Sequence, residues 1–139
     1  RIKQAADLHT NNIVQRLIYN FLIDNDLQEH LAKVRQVYQE QKNCMVRAIQ
    51  QHFPEEVTFT NPEGGMFIWA TLPSSINAET LVQKAIQEKV VFVPGKSFFT
   101  GNDGSWNMRL NYSNSSVDLI EEGIKRLGIL LKNSLKIKG

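Results

Sequence analysis

Arg109 lies at the centre of the segment NMRLNYS (residues 107–113), where Met108, Leu110 and Tyr112 alternate with Asn107, Arg109 and Asn111. A period of two is that of a β-strand, and it sends the apolar row to one face of a sheet and the polar row to the other. An arginine in mid-strand carries a charge that needs a partner. Its planar fork of donors matches a carboxylate gripped by two parallel hydrogen bonds. With Asn107 and Asn111 on the same face, Arg109 could present a carboxylate site at the sheet surface; an internal ion pair and a solvated edge position are the alternatives.

Other reactive groups offer less. Pro94-Gly95-Lys96-Ser97 ends like a phosphate-binding loop, but that motif needs a glycine five positions before Gly95, and Val90 stands there. Lys96 is read as a solvated turn lysine, with a reactive, desolvated amine as the alternative. His9, His30 and His52 are scattered without metal-ligand spacing, and no G-x-S-x-G elbow offers a serine nucleophile. Cys44 stands beside Met45 and Val46 in a helical pattern, which predicts a buried, inert thiol. A single cysteine cannot form an internal disulfide, in keeping with a reducing, cytoplasmic compartment. Asn111-Tyr112-Ser113 and Asn114-Ser115-Ser116 match the glycosylation pattern, which has no meaning without secretion.

The elements that must position Arg109 are legible from periodicity. Ile13, Val14, Leu17, Ile18, Phe21 and Leu22 recur at helical spacing behind Asp7, Thr10 and Asn11, any of which could cap. Asp24-Asn25-Asp26 breaks that helix from a long second one, marked by Leu27, Leu31, Val34, Tyr38, Met45, Ala48 and Ile49 and ending near Phe53-Pro54. Gln41 interrupts the stripe. Val57-Thr58-Phe59, the turn Pro62-Glu63-Gly64-Gly65 and Met66 to Leu72 predict a β-hairpin stopped by Pro73. Asn77 caps a helix with Leu81, Val82, Ala85 and Ile86 on its buried side. Val90-Val91-Phe92-Val93 is a continuous apolar run, as expected of a strand buried on both faces. Gly101, Asn102, Asp103 and Gly104 form a loop. Ser115-Ser116-Val117-Asp118 reads as a capping box before a last amphipathic helix bearing Val117, Ile120, Ile124, Leu127, Leu130 and Leu131. The pattern predicts an α+β fold: a small two-layer sandwich, mostly antiparallel sheet, with helices on one face.

The 139 residues fit one domain, with 42% hydrophobic and 22% charged residues and a net charge of +2. That charge is too small to argue for nucleic acid, and Lys132, Lys136 and Lys138 read as a solvated terminus. No apolar run is long enough for a membrane span, and no secretory signal is visible. The chain begins at Arg1 and enters helix soon after, so it is read as a piece of something longer.

NPEGGMFIWATLP (61–73), VVFVPGKSFF (90–99), NMRLNYS (107–113) and IEEGIKRLGILL (120–131), in this order and at these separations, resemble the C-terminal segment of pyridoxal-phosphate-dependent aminotransferases of class I and II. KQAADLHTN (3–11) and LQEHLAKVRQVYQEQKN (27–43) are similar to the subgroup of aminoadipate and kynurenine aminotransferases and of aminotransferase-like bacterial regulators. The resemblance covers essentially the whole chain. It implies a single C-terminal domain over residues 1–139, with 1–25 a helix joining it to a missing large domain. It implies that Arg109, in the motif R-L-x-[FY]-[SA], binds the α-carboxylate of an L-amino acid or 2-oxo acid. It also places the P-x-G-G turn near the substrate entrance, where Gly64 and Gly65 either make room for a ligand or serve only the hairpin. The Schiff-base lysine, the phosphate-holding groups and the acid facing the pyridine nitrogen belong in this family to the large domain. Pyridoxal 5'-phosphate is therefore expected in the parent, a homodimer by family habit, and this segment alone is expected to be inactive. A bacterial regulator with an upstream DNA-binding domain, or a related lyase or decarboxylase, is the alternative.

Overall fold

The computed structural model describes residues 11–101 and 104–136. Asp7, Thr10, His9, Asn102, Asp103 and Lys138, named above, lie outside them. Two units are distinguished by their internal packing, Arg1–Gln36 and Val37–Gly139.

In the first unit, helix α1 (Asn12–Asp24) starts at Asn11, whose Oδ1 accepts from the backbone N–H of Ile13 at 2.9 Å and of Val14 at 3.3 Å. Among the described candidates Asn11 is thus the cap. Asn25 ends the helix, and Asp26 opens the next by accepting from the N–H of Gln28 at 2.8 Å and of Glu29 at 3.2 Å. The apolar stripe of α1 is exposed, Ile13 and Leu17 most of all. Helix α2 (Leu27–His52) begins in this unit and ends in the second.

The second unit is built on a four-stranded sheet, β1 (Thr58–Phe59), β2 (Phe67–Thr71), β3 (Val93–Pro94) and β4 (Asn107–Asn111), in the order β1-β2-β4-β3 with every pairing antiparallel. β1 and β2 form the predicted hairpin. Its turn needs glycine for a backbone reason at Gly65, where φ is +94°, a region that side chains with a Cβ disfavour. Strand alternation then decides the layers: Ile68, Ala70, Met108 and Leu110 are buried on one face. The helices supply the rest of that core, Cys44, Met45, Ala48 and Ile49 from α2, Ala78, Leu81, Val82 and Ala85 from α3 (Ala78–Gln87), and Ile120, Ile124, Leu127 and Leu131 from α4 (Val117–Lys136). Each large apolar side chain so buried contributes about 1.5–3 kcal/mol.

Asn77 caps α3 through the N–H of Thr80 at 3.0 Å, with Glu79 in the first turn. Three sequence expectations shift. Residues 90–93 are not a strand buried on both faces: of them only Val93 joins the sheet, at its edge, where it and Pro94 pair with Arg109 and Met108 of β4, and Val91 is 75% exposed. The edge has one neighbour, and Pro94, with no N–H to donate, suits it. Ile86 is 45% exposed because α3 turns its Ala78, Leu81, Val82 and Ala85 inward instead. The cap of α4 is Ser116, whose Oγ accepts from the N–H of Leu119 at 3.4 Å, so Asp118 is a first-turn charge and not a partner in a capping box. Gln41, which broke the stripe of α2, donates to the Ser115 carbonyl at 2.7 Å.

Cys44 is 4% exposed, and burial, then the charge of Glu121, pushes its thiol above the ordinary value near 9.0. The folded state therefore holds that proton longer than the unfolded state, and stability declines as pH rises past the ordinary value. Iodoacetamide at pH 8 is expected to leave Cys44 unlabelled over hours in buffer and to label it readily in denaturing urea, as read by intact mass. Equal rates in the two conditions would mean an accessible thiol.

Candidate functional site

The face of the sheet opposite the helices carries Phe67, Trp69 and Thr71 from β2 and Asn107, Arg109 and Asn111 from β4. The register sets them directly across from one another, Phe67 against Asn111, Trp69 against Arg109 and Thr71 against Asn107. Val93 of the edge strand stands across from Arg109 on the other side.

The two asparagines are already engaged. Asn107 is buried and donates through Nδ2 to Thr71 Oγ1 at 2.9 Å. Asn111 Oδ1 accepts from the backbone N–H of Ser113 at 2.8 Å and its hydroxyl at 3.1 Å, a local turn. Of the three polar residues that β4 sends to this face, Arg109 has its charged donors uncommitted among the described residues. Among the described residues no carboxylate pairs with it, and its Nε is buried without a hydrogen-bond partner.

Aromatic rings hold it instead. The guanidinium carbon lies over the Phe67 ring, 4.1 Å from its centre, and over the Phe98 ring, 4.4 Å from its centre. Such cation–π contacts contribute about 0.5–2 kcal/mol each, and they use the faces of the guanidinium, not its hydrogen-bonding edge. Phe98 comes from a 3-10 turn, Gly95–Phe98, that follows β3. Trp69 meets Phe98 edge to face at 5.6 Å and lies tilted to Phe99 at 6.0 Å. The turn can approach β4 because residue 95 is glycine: a Cβ there would fall 2.4 Å from the Asn107 Cβ.

Lys96, in the same turn, pairs with Glu79 at 3.2 Å, both about half exposed at 47%. It is an ordinary surface ion pair and not a desolvated amine. Gly64 and Gly65 have open space where a Cβ would stand. The hairpin accounts for Gly65 without a ligand. Sequence reasoning missed Phe67, Trp69, Phe98 and Phe99. The two-residue period that located Arg109 also puts Phe67 and Trp69 on one face, whereas nothing in the spacing announced that Phe98 would reach across.

Residues 2–127 match the pattern of the family described as aminotransferase class I and II. The chain belongs to this family. Its α+β fold is that of the aminotransferase C-terminal domain. The 2-aminoadipate transaminase of Thermus thermophilus is 42% identical over 135 residues, which is 97% of this chain and 34% of that one. A crystal structure of LysN, an alpha-aminoadipate aminotransferase from Thermus thermophilus complexed with N-(5'-phosphopyridoxyl)-L-leucine, superimposes with a TM-score of 0.87 at 41% identity, over 98% of this chain and 35% of that one. At greater distance, the HTH-type transcriptional regulator YdfD of Bacillus subtilis is 28% identical over 131 residues, 94% of this chain and 27% of its own length. The chain thus spans about a third of the length of the aminotransferases it matches.

The described residues do not by themselves fit pyridoxal phosphate. The amine of Lys96, on the 3-10 turn that carries Phe98, is held by Glu79, and that of Lys42 donates to the Pro62 carbonyl at 3.2 Å. Among the described residues Arg109 has no carboxylate partner on this sheet face, and its guanidinium suits a carboxylate.

Proposed function

We propose that this chain is the small-domain part of a longer aminotransferase, one that moves an amino group between an L-amino acid and a 2-oxo acid, and that Arg109 anchors the substrate's α-carboxylate. The observation that carries this reading is a guanidinium with no carboxylate partner among the described residues, set on an open sheet face. A charge so placed is stabilised by a ligand that brings the missing anion. Gripping the carboxylate fixes the direction of the substrate's Cα–H bond relative to whatever reacts with it, which is where positioning lowers a barrier.

In this reading pyridoxal 5'-phosphate, with the groups that hold it, comes from the rest of the longer protein and acts as the electron sink. Residues 1–25 form the connection to that large domain, and the parent is a cytoplasmic homodimer. The exposed apolar stripe of α1 supports a further packing partner.

The test is product analysis on the longer protein, supplied with pyridoxal phosphate, 2-oxoglutarate and a panel of L-amino acids. Formation of L-glutamate together with the matching 2-oxo acid is expected. Release of ammonia or carbon dioxide in place of L-glutamate would replace the reading with a lyase or decarboxylase on the same scaffold. The similarity to YdfD favours one second reading, an effector region attached to a DNA-binding domain. Absence of amino transfer together with ligand-dependent binding of the longer protein to DNA would decide for it.

A further inference from the structure

We propose that Phe67 and Phe98 are positioning residues: they hold the Arg109 guanidinium so that an incoming carboxylate meets its terminal Nη nitrogens and not Nε. This rests on the carboxylate-anchor reading of Arg109.

Three observations point the same way. The guanidinium carbon lies 4.1 Å from the centre of one ring and 4.4 Å from that of the other, so two ring faces oppose its swing. Nε is closed off and has no partner among the described residues, which leaves it out of reach of a ligand oxygen in this arrangement. Phe98 is itself braced, edge to face against Trp69 at 5.6 Å, and Trp69 stands directly across from Arg109 in the sheet. An arginine side chain that is free to rotate loses considerable rotamer entropy when a ligand immobilises it. Rings that hold it beforehand remove much of that cost from binding, the general effect of preorganisation. The rings do so without competing for the donors, since a phenyl face accepts charge and offers no lone pair to an N–H edge. A carboxylate in place of either ring would hold the side chain as firmly and occupy the fork.

Two measurements test this. In the 139-residue chain, hydrogen exchange of the Arg109 Nε–H, read by nitrogen-15 NMR, is expected to quicken about tenfold or more in Phe98→Leu and to return toward wild type in Phe98→Tyr, which keeps the ring. In the longer protein, KM for L-glutamate, L-leucine and L-phenylalanine is expected to rise about fivefold to twentyfold in Phe98→Leu and in Phe67→Leu, more than kcat falls, with the tyrosine variants restoring most of it. Phe98 is 47% exposed, so its replacement leaves the core intact. Unchanged Nε exchange in Phe98→Leu overturns the proposal. So does an unchanged KM in both leucine variants beside a raised KM in Arg109→Ala. If Arg109→Ala itself leaves KM unchanged, the carboxylate anchor fails first and the positioning role falls with it.

Discussion

Replacing Arg109 by alanine in the longer protein is expected to lower kcat/KM for every L-amino acid substrate by about 100- to 1,000-fold, because truncating one member of a desolvated, hydrogen-bonded charge pair costs roughly 3–4 kcal/mol. The loss should be indifferent to the substrate's side chain, since the α-carboxylate is common to all. Lysine at the same position should recover only a small part: it restores the charge but not the planar fork, and its single ammonium cannot bond both oxygens in one plane. Stability should move little. The alanine variant gives up two ring contacts, but it also removes a buried Nε that has no partner among the described residues, a group whose burial costs about 1–3 kcal/mol. Steady-state kinetics alongside urea unfolding checks both halves. A large fall in the unfolding midpoint with unchanged kcat/KM would mean that Arg109 serves the fold and not a ligand.

Gly95→Ala should be damaging for a reason that lies in packing. The new Cβ would stand 2.4 Å from the Asn107 Cβ and 3.0 Å from that residue's carbonyl carbon and oxygen. Asn107 cannot give way readily: its backbone is paired with Thr71 in the sheet and its side chain is bonded to the Thr71 hydroxyl at 2.9 Å. The 3-10 turn must therefore lift from β4, which costs about 1–3 kcal/mol as overpacking does generally. Because Phe98 rides on that turn, its ring moves off Arg109, and substrate KM in the longer protein should rise together with the loss of stability. Gly64→Ala is the matched comparison, since a Cβ there meets nothing within 4 Å. Its unfolding free energy from urea titration should stay within about 0.5 kcal/mol of the original. Equal midpoints for the two variants would refute the close-approach account of Gly95.

These two positions also separate what was legible from what was not. Arg109 stood out because strand alternation has a period of two and a charge at the middle of an apolar segment breaks a local rule. Its environment was only half legible. Phe67 and Trp69 follow from the same alternation on β2, but their meeting with Arg109 depends on a register between strands about forty residues apart in sequence. The alternation made Asn107 and Asn111 look like partners for a ligand, and both are occupied by neighbours that spacing does not reveal. Residues 90–93 show the converse: a continuous apolar run suits a strand covered on both faces, yet whether a strand is central or at the edge is a property of the whole sheet.

The amino-acid sequence by itself determined the helices, the hairpin, the face of β4 that carries Arg109 and, through four ordered segments, the family. Those are matters of periodicity, capping and chain reversal, which act over a few residues. Only the tertiary structure decided that Arg109 rests against two phenyl rings with no carboxylate among the described residues to neutralise it, that Asn107 is buried and that Gly95 is where the turn presses on the sheet. Such facts arise when segments distant in the chain compete for the same space, and close packing settles that competition at distances no local pattern encodes.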